Sequence, residues 1–256
     1  MLVNVDPTAR VAPRARLGKN VTIGPYSIVH ENVVLDDDVE VGAHCVLGHA
    51  SRLQGAEPLH IGQGSLIRSH SIFYEGTRIG PQLQTGHHVT VREGLVAGRG
   101  LQLGTFCDIQ GDSRFGDYVR FHSNVHVGQK STLGNFVWIF PNVVLTNDPH
   151  PPSNVLLGVT VEDYAAIATM SCVLPGVRIG TRSLVGAHSL VTSDVPADMV
   201  ASGVPATVRG RARSIRLRDG SGRPAYPWMT HFHRGYPPEV VEGWKETFGA
   251  GHSPVK

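Results

Sequence analysis

The side chains best suited to acid–base chemistry gather in two stretches of the sequence, FHSNVHVGQK at 121–130 and TNDPHPPSN at 146–154. Histidine exchanges a proton near neutral pH, and amides or carboxylates can orient a substrate amine or hydroxyl. We therefore take His126 and His150 as the candidate bases. The candidate substrate-binding residues of the two stretches are His122, Asn124, Gln129, Asn147 and Asp148.

A six-residue period on both sides of these stretches predicts the elements that must position them. Aliphatic residues recur at nearly every sixth position over 11–53, resume after a two-residue slip over 61–145, and continue over 161–191. Glycine often follows the aliphatic residue, and a small or β-branched residue comes four places after it. An α-helix would repeat every 3.6 residues and a flat amphipathic strand every two. The period instead predicts an all-β solenoid, interrupted by an excursion at 146–158.

This pattern of aliphatic, glycine and small residues resembles that of the hexapeptide-repeat acyltransferases over roughly residues 5–210. The resemblance implies a left-handed parallel β-helix of about ten coils, shaped as a three-sided prism. It also implies a homotrimer with active sites in the grooves between neighbouring subunits. We assign residues 1–210 to this domain and residues 211–256 to a C-terminal extension without the period. In the extension we predict one short helix at 238–248 and expect the aromatic residues to pack against the prism or a neighbouring subunit, namely Trp228, Phe232 and Trp244.

In such a coil three hexads make one turn, so residues 18 apart lie directly above one another. One corner column then contains His70, His88, Phe106, Asn124 and Asn142, and a second contains Glu75, Glu93, Gly111, Gln129 and Asn147. The first polar stretch therefore lies one coil below the start of the excursion. We expect the two to meet within one subunit or across a trimer groove. His88 and Arg92 are further candidates for substrate binding, and Arg92 or Arg182 could hold a pyrophosphate.

The chain after the excursion, from VTVEDYAAI to GVPATVRGRAR, is similar to the terminal coils of the sugar acetyltransferases. It is most like the branch that N-acylates amino sugars attached to nucleotides. This resemblance implies transfer of an acetyl or other short acyl group from acetyl-CoA, in the biosynthesis of a surface polysaccharide. It places the CoA near Thr169, Ala187, Thr192, Gly203, Arg209 and Arg211, with the arginines and Arg213 close to the 3′-phosphate. One lysine that the family pattern expects is missing, because the chain reads Thr192-Ser193-Asp194 there.

The identity of the general base stays open at this point. In the lipid A-type acyltransferases that the chain resembles, the catalytic histidine stands where this chain has Gln129, and an amide cannot act as a base. In the branch that acylates galactosides, the loop base is a histidine before a proline. His150-Pro151 matches that pattern, but Asp148-Pro149 aligns equally well. A neutral sugar amine can lose its proton to solvent, whereas a sugar hydroxyl needs a base. N-acylation is the main prediction, and O-acylation is the alternative.

Charge and cysteine content bear on the remaining classes of function. The formal net charge is +2, which gives no reason to expect a nucleic-acid or membrane partner. The three cysteines form no CxxC pair and the first residues lack the layout of a signal peptide, so we expect a cytoplasmic protein. We expect no metal. One rival is a γ-class carbonic anhydrase-like zinc enzyme using His87, His122 and His126, whose spacing departs from that family's. The other rival is a non-catalytic scaffold.

Overall fold

Residues 3–51 and 57–249 are described by the structure, a computed structural model, and most of them form short parallel strands on three faces of a prism. Face A contains β1 (Asn4–Val5), β4 (Thr22–Ile23), β7 (Glu40–Val41), β10 (Leu66–Ile67), β13 (Gln84–Thr85), β16 (Gln102–Leu103), β19 (Arg120–Phe121), β22 (Trp138–Ile139), β25 (Ala166–Ile167), β28 (Leu184–Val185), β30 (Met199–Gly203) and β31 (Ala206–Arg211). Face B contains β2 (Arg10–Val11), β5 (Ile28–Val29), β8 (Val46–His49), β11 (Ile72–Tyr74), β14 (Thr90–Val91), β17 (Asp108–Ile109), β20 (His126–Val127), β23 (Val144–Leu145), β26 (Cys172–Val173) and β29 (Leu190–Val191). Face C contains β3 (Arg16–Leu17), β6 (Val33–Leu35), β9 (Leu59–Ile61), β12 (Arg78–Ile79), β15 (Val96–Ala97), β18 (Arg114–Phe115), β21 (Thr132–Leu133), β24 (Thr160–Val161) and β27 (Arg178–Ile179).

The strand order confirms the predicted parallel solenoid, with about eleven turns rather than ten, and the fold is the left-handed β-helix. From β1 to β26 each strand pairs with the strand three places further along the chain, so the chain visits faces A, B and C in turn, and β28 then pairs with β30. The last two strands, β30 and β31, pair antiparallel and close the final coil.

The core is built from the aliphatic position of each hexad. Ile109 and Val127 are fully buried, while the residue before each of them faces outward, as the alternation of side chains along a strand requires. The small position is buried as well, and its serines satisfy their hydroxyls locally. Ser65 Oγ donates to the carbonyl of Gly62 at 2.6 Å, and Ser131 Oγ donates to the carbonyl of Gly128 at 2.7 Å. This explains why serine is compatible with an apolar core at that position.

The first predicted column is observed at the corner between faces A and B, called here the A–B corner. His70, His88 and Phe106 stack with ring centroids 4.7 and 5.0 Å apart. These residues and Asn124, with φ of 59°, are all in the left-handed region. Such a backbone is strained for most L-residues, and asparagine tolerates it best among those present.

Two excursions leave the prism at the corner between faces B and C, called here the B–C corner. Val144 pairs with Cys172 instead of residue 162, so the predicted excursion inserts ten residues. Val46 pairs with Ile72 instead of residue 64, so eight further residues are inserted between β8 and β9. The prediction of a two-residue slip there was wrong, and Leu53, assigned to the period, lies outside the described residues.

The C-terminal extension packs on face A and the corner between faces C and A. It contains short 3-10 helices at Ala212–Ser214 and Trp228–Thr230 and the predicted α-helix, α1, at Pro238–Phe248. Its aromatic rings form one buried cluster with side chains of the prism, among them Tyr118, Trp138, Trp228, Tyr236 and Trp244. The indole nitrogens find acceptors: Trp138 Nε1 donates to Tyr236 Oη at 3.0 Å and Trp228 Nε1 to the carbonyl of Tyr164 at 3.1 Å. The expected packing of the extension on the prism is confirmed. No helix in the described ranges has the length and apolarity needed to cross a bilayer.

Candidate active site

Face B carries an Asp–His pair on neighbouring coils. Asp108 on β17 lies directly beside His126 on β20, and both point outward because Ile109 and Val127 fill the inward positions. The Oδ2 atom of Asp108 lies 3.0 Å from Nδ1 of His126. Gln110 also donates to this oxygen, from Nε2 at 2.7 Å. The pair is half-exposed, so a ligand on this face can reach it.

The surroundings of Asp108 keep its carboxyl ionised. The hydrogen bond from His126 is the main cause that lowers the pKa of Asp108, and Gln110 and the charge of Arg92 add to it against the opposing effect of burial. An ionised carboxylate can only accept, so it holds the proton of the imidazole on Nδ1. In the neutral imidazole Nε2 is then the nitrogen left to accept. This is the arrangement that a general base requires.

One coil further down, face B carries a second polar group. Nη2 of Arg92 lies 2.8 Å from Oε1 of the buried Glu93, and its Nε lies 3.2 Å from Oε2. The Arg92 guanidinium also lies 5.8 Å from the ring centroid of Tyr74. Arg92 is therefore already engaged, and an anionic substrate would have to compete with Glu93 for it.

The ten-residue excursion is organised around Asp148. Its carboxylate accepts from the backbone nitrogens of His150 at 2.9 Å and Ser153 at 2.8 Å and from Ser153 Oγ at 2.6 Å. The hydroxyl of Ser153 is the main cause that lowers the pKa of Asp148. Asp148 thus holds the loop together, while the side chain of His150 is exposed. Asn147, at the start of the excursion, joins it to the far end, because the carbonyl of Asn147 accepts a hydrogen bond from the backbone nitrogen of Leu157 at 2.8 Å.

The structure brings some of the predicted site residues together and separates others. Gln129 and Asn147 stack at the B–C corner, as the second predicted column requires, since Val127 pairs with Leu145. His126 begins the strand that ends at this corner. Within one subunit, no hydrogen bond or ion pair joins His126 to the excursion among residues 3–51 and 57–249.

His122 lies on a different face from His126, contrary to the expected cluster. It follows the buried Phe121 on face A, whereas His126 precedes the buried Val127 on face B, and Asn124 turns the chain between them. The ring of His122 stacks on Phe140 with centroids 4.8 Å apart, although the residue is exposed. Desolvation lowers the pKa of His122, which favours the neutral imidazole. His88 stands in the ring stack of the A–B corner.

The six residues predicted to bind CoA divide between three places. The pairing of β25 with β28 and β30 puts Thr169, Ala187 and Gly203 in one column at the A–B corner. Arg209 joins this column, because its Nε donates to the carbonyl of Ser202 at 3.3 Å. Thr192 follows β29 on face B and is exposed. Arg211 lies apart from them, opposite Met199 in the β30–β31 pair, where it lines a cavity under the C-terminal extension.

Asp108 is the functional candidate that the sequence analysis missed. It stands 18 residues before His126, so the same column rule that aligned Asn124 with Phe106 would have found it. No arrangement of three or more His, Cys, Asp or Glu side chains suited to a metal ion occurs in the described part of one chain.

The lowered pKa of Asp108 predicts a pH-dependent contribution to stability. A carboxyl whose folded pKa is depressed stabilises the fold above its unfolded pKa, near 4, and loses this contribution as pH falls through the folded value. We expect the free energy of unfolding of Asp108→Asn, measured in urea, to be lower than that of the wild type at pH 7 and the difference to shrink as the pH is lowered below about 4. An equal difference at pH 7 and below about pH 4 would mean that the charge of Asp108 does not stabilise the fold.

The sequence comparisons agree with this fold. The family model described as "Bacterial transferase hexapeptide (six repeats)" matches residues 5–49. The chain is 30% identical over 205 residues to the acyl-[acyl-carrier-protein]–UDP-N-acetylglucosamine O-acyltransferase of Pseudomonas paraeruginosa, covering 80% of this chain and 73% of the relative. It is 28% identical over 218 residues to the bifunctional protein GlmU of Herminiimonas arsenicoxydans. That match covers 83% of this chain but only 44% of GlmU, so the chain spans less than half the length of this relative.

Solved structures support the fold alone. LpxA from Acinetobacter baumannii aligns with a TM-score of 0.52 and 22% identity over 95% of this chain and 82% of that one. The Arabidopsis UDP-N-acetylglucosamine acyltransferase aligns with a TM-score of 0.54 and 19% identity over 81% of this chain and 74% of that one. Together with the sequence match to the Pseudomonas relative, the β-helix defines the class: the chain belongs to the hexapeptide-repeat acyltransferase family.

Proposed function

We propose that this protein transfers an acetyl or other short acyl group from CoA to the amine of a nucleotide-linked amino sugar. The observation that carries the proposal is the Asp108–His126 pair, in which a carboxylate 3.0 Å away orients an imidazole. Acyl transfer from a thioester needs a positioned nucleophile and a group that accepts its proton. His126 has the geometry to accept that proton through Nε2. Gln129, which replaces the histidine expected from the resemblance, can orient the acceptor but cannot take its proton.

The acyl donor is proposed to be acetyl-CoA or a related acyl-CoA. Thr169, Ala187 and Gly203 have little or no side chain beyond Cβ and form a column along which a pantetheine arm could lie. Arg209 stands beside Gly203, with its Nη2 within 3.0 Å of the place where a Cβ on that glycine would be. Its charge suits the 3′-phosphate of CoA. The Pseudomonas relative is named for an acyl carrier protein as donor, which offers the same thioester on a protein.

O-acylation is the second candidate, and one observation favours it. A sugar hydroxyl requires a base, and a carboxylate-oriented histidine is the kind of base that it requires. The galactoside O-acetyltransferase of Escherichia coli is 33% identical to this chain over 124 residues, which are 40% of this chain and 60% of that relative. This enzyme and the Pseudomonas relative are both named as O-acylating enzymes. A homotrimer, with the excursion of one subunit lending His150, Asn147 and Asp148 to a groove against the next, remains part of the proposal. A place in surface-polysaccharide biosynthesis and the cytoplasmic setting remain predictions too.

The proposal is tested by thiol release. The purified, metal-stripped chain is mixed with acetyl-CoA and, in turn, with nucleotide-linked sugars that carry a free amine or only hydroxyls. We expect thiol release with at least one amino sugar and none with the N-acetylated counterpart. Release with the hydroxyl sugars alone would replace N-acylation by O-acylation. No release with any of them, together with tightly held zinc in the untreated protein, would favour the zinc-enzyme alternative.

A further inference from the structure

The Asp108–His126 pair has a third member on face B, directly after β17. Asp108 and Gln110 stand on either side of the buried Ile109, so both side chains lie on the outer surface of the face. The backbone nitrogen of Gln110 donates to the carbonyl of Val127, the residue after His126, at 2.9 Å. Gln110 is therefore held by the backbone to both strands that carry the pair.

Gln110 and His126 donate to the same oxygen of Asp108. Oδ2 accepts from Nε2 of Gln110 at 2.7 Å and from Nδ1 of His126 at 3.0 Å. Within the described ranges, Oδ1 of Asp108 has no hydrogen-bond partner. An ionised carboxylate only accepts, so its charge fixes which end of the Gln110 amide lies against it. The second donor on Oδ2 in turn keeps the carboxylate from rotating away from the imidazole.

A second Asp–His pair, on face C, is built differently. Nε2 of His60 lies 2.9 Å from Oδ1 of Asp36, and Nη1 of Arg78 lies 3.0 Å from Nδ1 of the same ring. Because a guanidinium only donates, both ring nitrogens of His60 are engaged. Nε2 of His126, in contrast, has no hydrogen-bond partner within the described ranges. The pair that includes Gln110 therefore keeps a ring nitrogen on which it can take up a proton.

The amide also bears on the protonation of the imidazole. A carboxylate beside an imidazole favours the imidazolium form, which has no lone pair for the proton of an acceptor. The hydrogen bond from His126 is the main cause of the lowered pKa of Asp108, and the hydrogen bond from Gln110 adds to it. A carboxylate oxygen that is shared with a second donor attracts the imidazolium less strongly. The neutral imidazole then persists to lower pH.

Few other charged groups surround the pair. On the coil below, Arg92 adds its charge to Asp108 but is itself bound to Glu93. On the coil above, the residue beside His126 is the uncharged Val144. Lys130 and Asp112, which follow at the B–C corner, pair with each other at 2.7 Å. Gln110 is thus the neutral group that acts on Asp108 directly.

We propose that Gln110 is a positioning residue for the proton acceptor: its amide fixes the carboxylate of Asp108 and keeps the imidazole of His126 neutral. The effect on turnover rests on the proposed acyl transfer, whereas the effect on the imidazole does not. In the reaction, the proton of the sugar amine or hydroxyl goes to Nε2 of His126. Gln110 neither gives nor takes a proton.

Gln110→Met tests this role, because methionine has a similar length and no N–H donor. We expect kcat/KM for thiol release at pH 7 to fall about three- to thirtyfold, part of the worth of a hydrogen bond to a charged group. The acid limb of the kcat/KM profile should move to higher pH by about 0.5–1. Gln110→Glu, which puts a second carboxylate beside Asp108, should move the limb further.

The matched control is Gln84→Met, the same substitution at an outward position of β13 on face A. It should behave as the wild type in turnover and in pH profile. Gln110 itself is partly exposed, so its variants should fold.

A chemical readout separates this inference from the proposed function. Diethyl pyrocarbonate reacts with neutral imidazole, and mass spectrometry of the digested chain gives the rate of modification at each histidine as the pH is varied. In Gln110→Met we expect the curve for His126 to move to higher pH by about 0.5–1. The curve for His60, on face C, should stay where it is in the wild type and serves as the internal control.

An unchanged curve for His126 in Gln110→Met overturns the role of Gln110. A fall in kcat/KM without a change in either pH dependence overturns it as well, because it shows a purely structural effect. A wild-type chain that releases no thiol, but whose His126 curve moves in Gln110→Met, overturns the acyl transfer and leaves the positioning of His126 standing.

Discussion

Replacing His126 by asparagine should lower the turnover of acyl transfer by about a hundredfold to ten-thousandfold, the range that a positioned general base contributes. Asparagine keeps a polar side chain of similar reach beside Asp108 but cannot accept the proton of the acceptor. Because the hydrogen bond from His126 is the main cause that lowers the pKa of Asp108, the free energy of unfolding at pH 7 should fall by about as much as in Asp108→Asn. It should fall no further, since the side chain of His126 is 41% exposed. The measurement is thiol release at saturating acetyl-CoA and acceptor, with urea unfolding to check the fold.

A matched control exists on face C. His60 lies beside Asp36 with its Nε2 2.9 Å from Oδ1, so this second Asp–His pair resembles the first in its chemistry but lies on another face. His60→Asn should leave thiol release unchanged. Equal losses in the two variants would point to a general effect of removing a histidine. Unchanged turnover in His126→Asn would remove His126 as the base and leave His150 or solvent.

Replacing Phe73 by alanine should destabilise the β-helix by about 3–5 kcal/mol, the usual cost of emptying a buried aromatic position. Phe73 is fully buried, and its strand is paired with Leu47 on one side and Val91 on the other. Each coil of a solenoid contacts only its neighbours, so few side chains can move to fill the space. Equilibrium urea unfolding followed by circular dichroism measures the loss.

Phe73→Leu is the control for this prediction, because it keeps an apolar side chain of closer volume. It should cost less than about 1.5 kcal/mol. A loss below about 1 kcal/mol in Phe73→Ala would contradict the close packing of this layer. A similar loss in both variants would show that the aromatic ring itself, rather than the filled volume, is what the core requires.

The period of the sequence by itself determined the fold and the vertical neighbours. Each hexad needs one inward aliphatic residue, one small residue and one tight corner, and these are local requirements that the chain repeats. His70, His88 and Phe106 stack as the 18-residue spacing predicts. The same spacing contains the pair of Asp108 and His126, so this part of the candidate site could also have been found from the sequence.

Where a hexad stands relative to a corner decides which face a polar residue occupies. His122 follows an inward residue and His126 precedes the next one, so a separation of four residues places them on two faces. Their types and closeness in sequence suggested one cluster, but the corner at Asn124 separates them. The excursion between β8 and β9 was likewise hidden, because Leu53 continues the six-residue period in the sequence. The pairing of Val46 with Ile72 shows that the coil nevertheless contains extra residues there.

Only the tertiary structure determined the place of the C-terminal extension. The extension has no period, and its contacts join residues that lie far apart in the sequence, as when Trp228 donates to Tyr164 and Arg120 meets Gly235. The sequence predicted the helix at 238–248 and the packing of its aromatic residues, because local propensity and apolar content decide both. It could not predict which face they cover. That choice depends on the shape of the aromatic side chains along face A and the adjoining corner, which exists only once the coils have stacked.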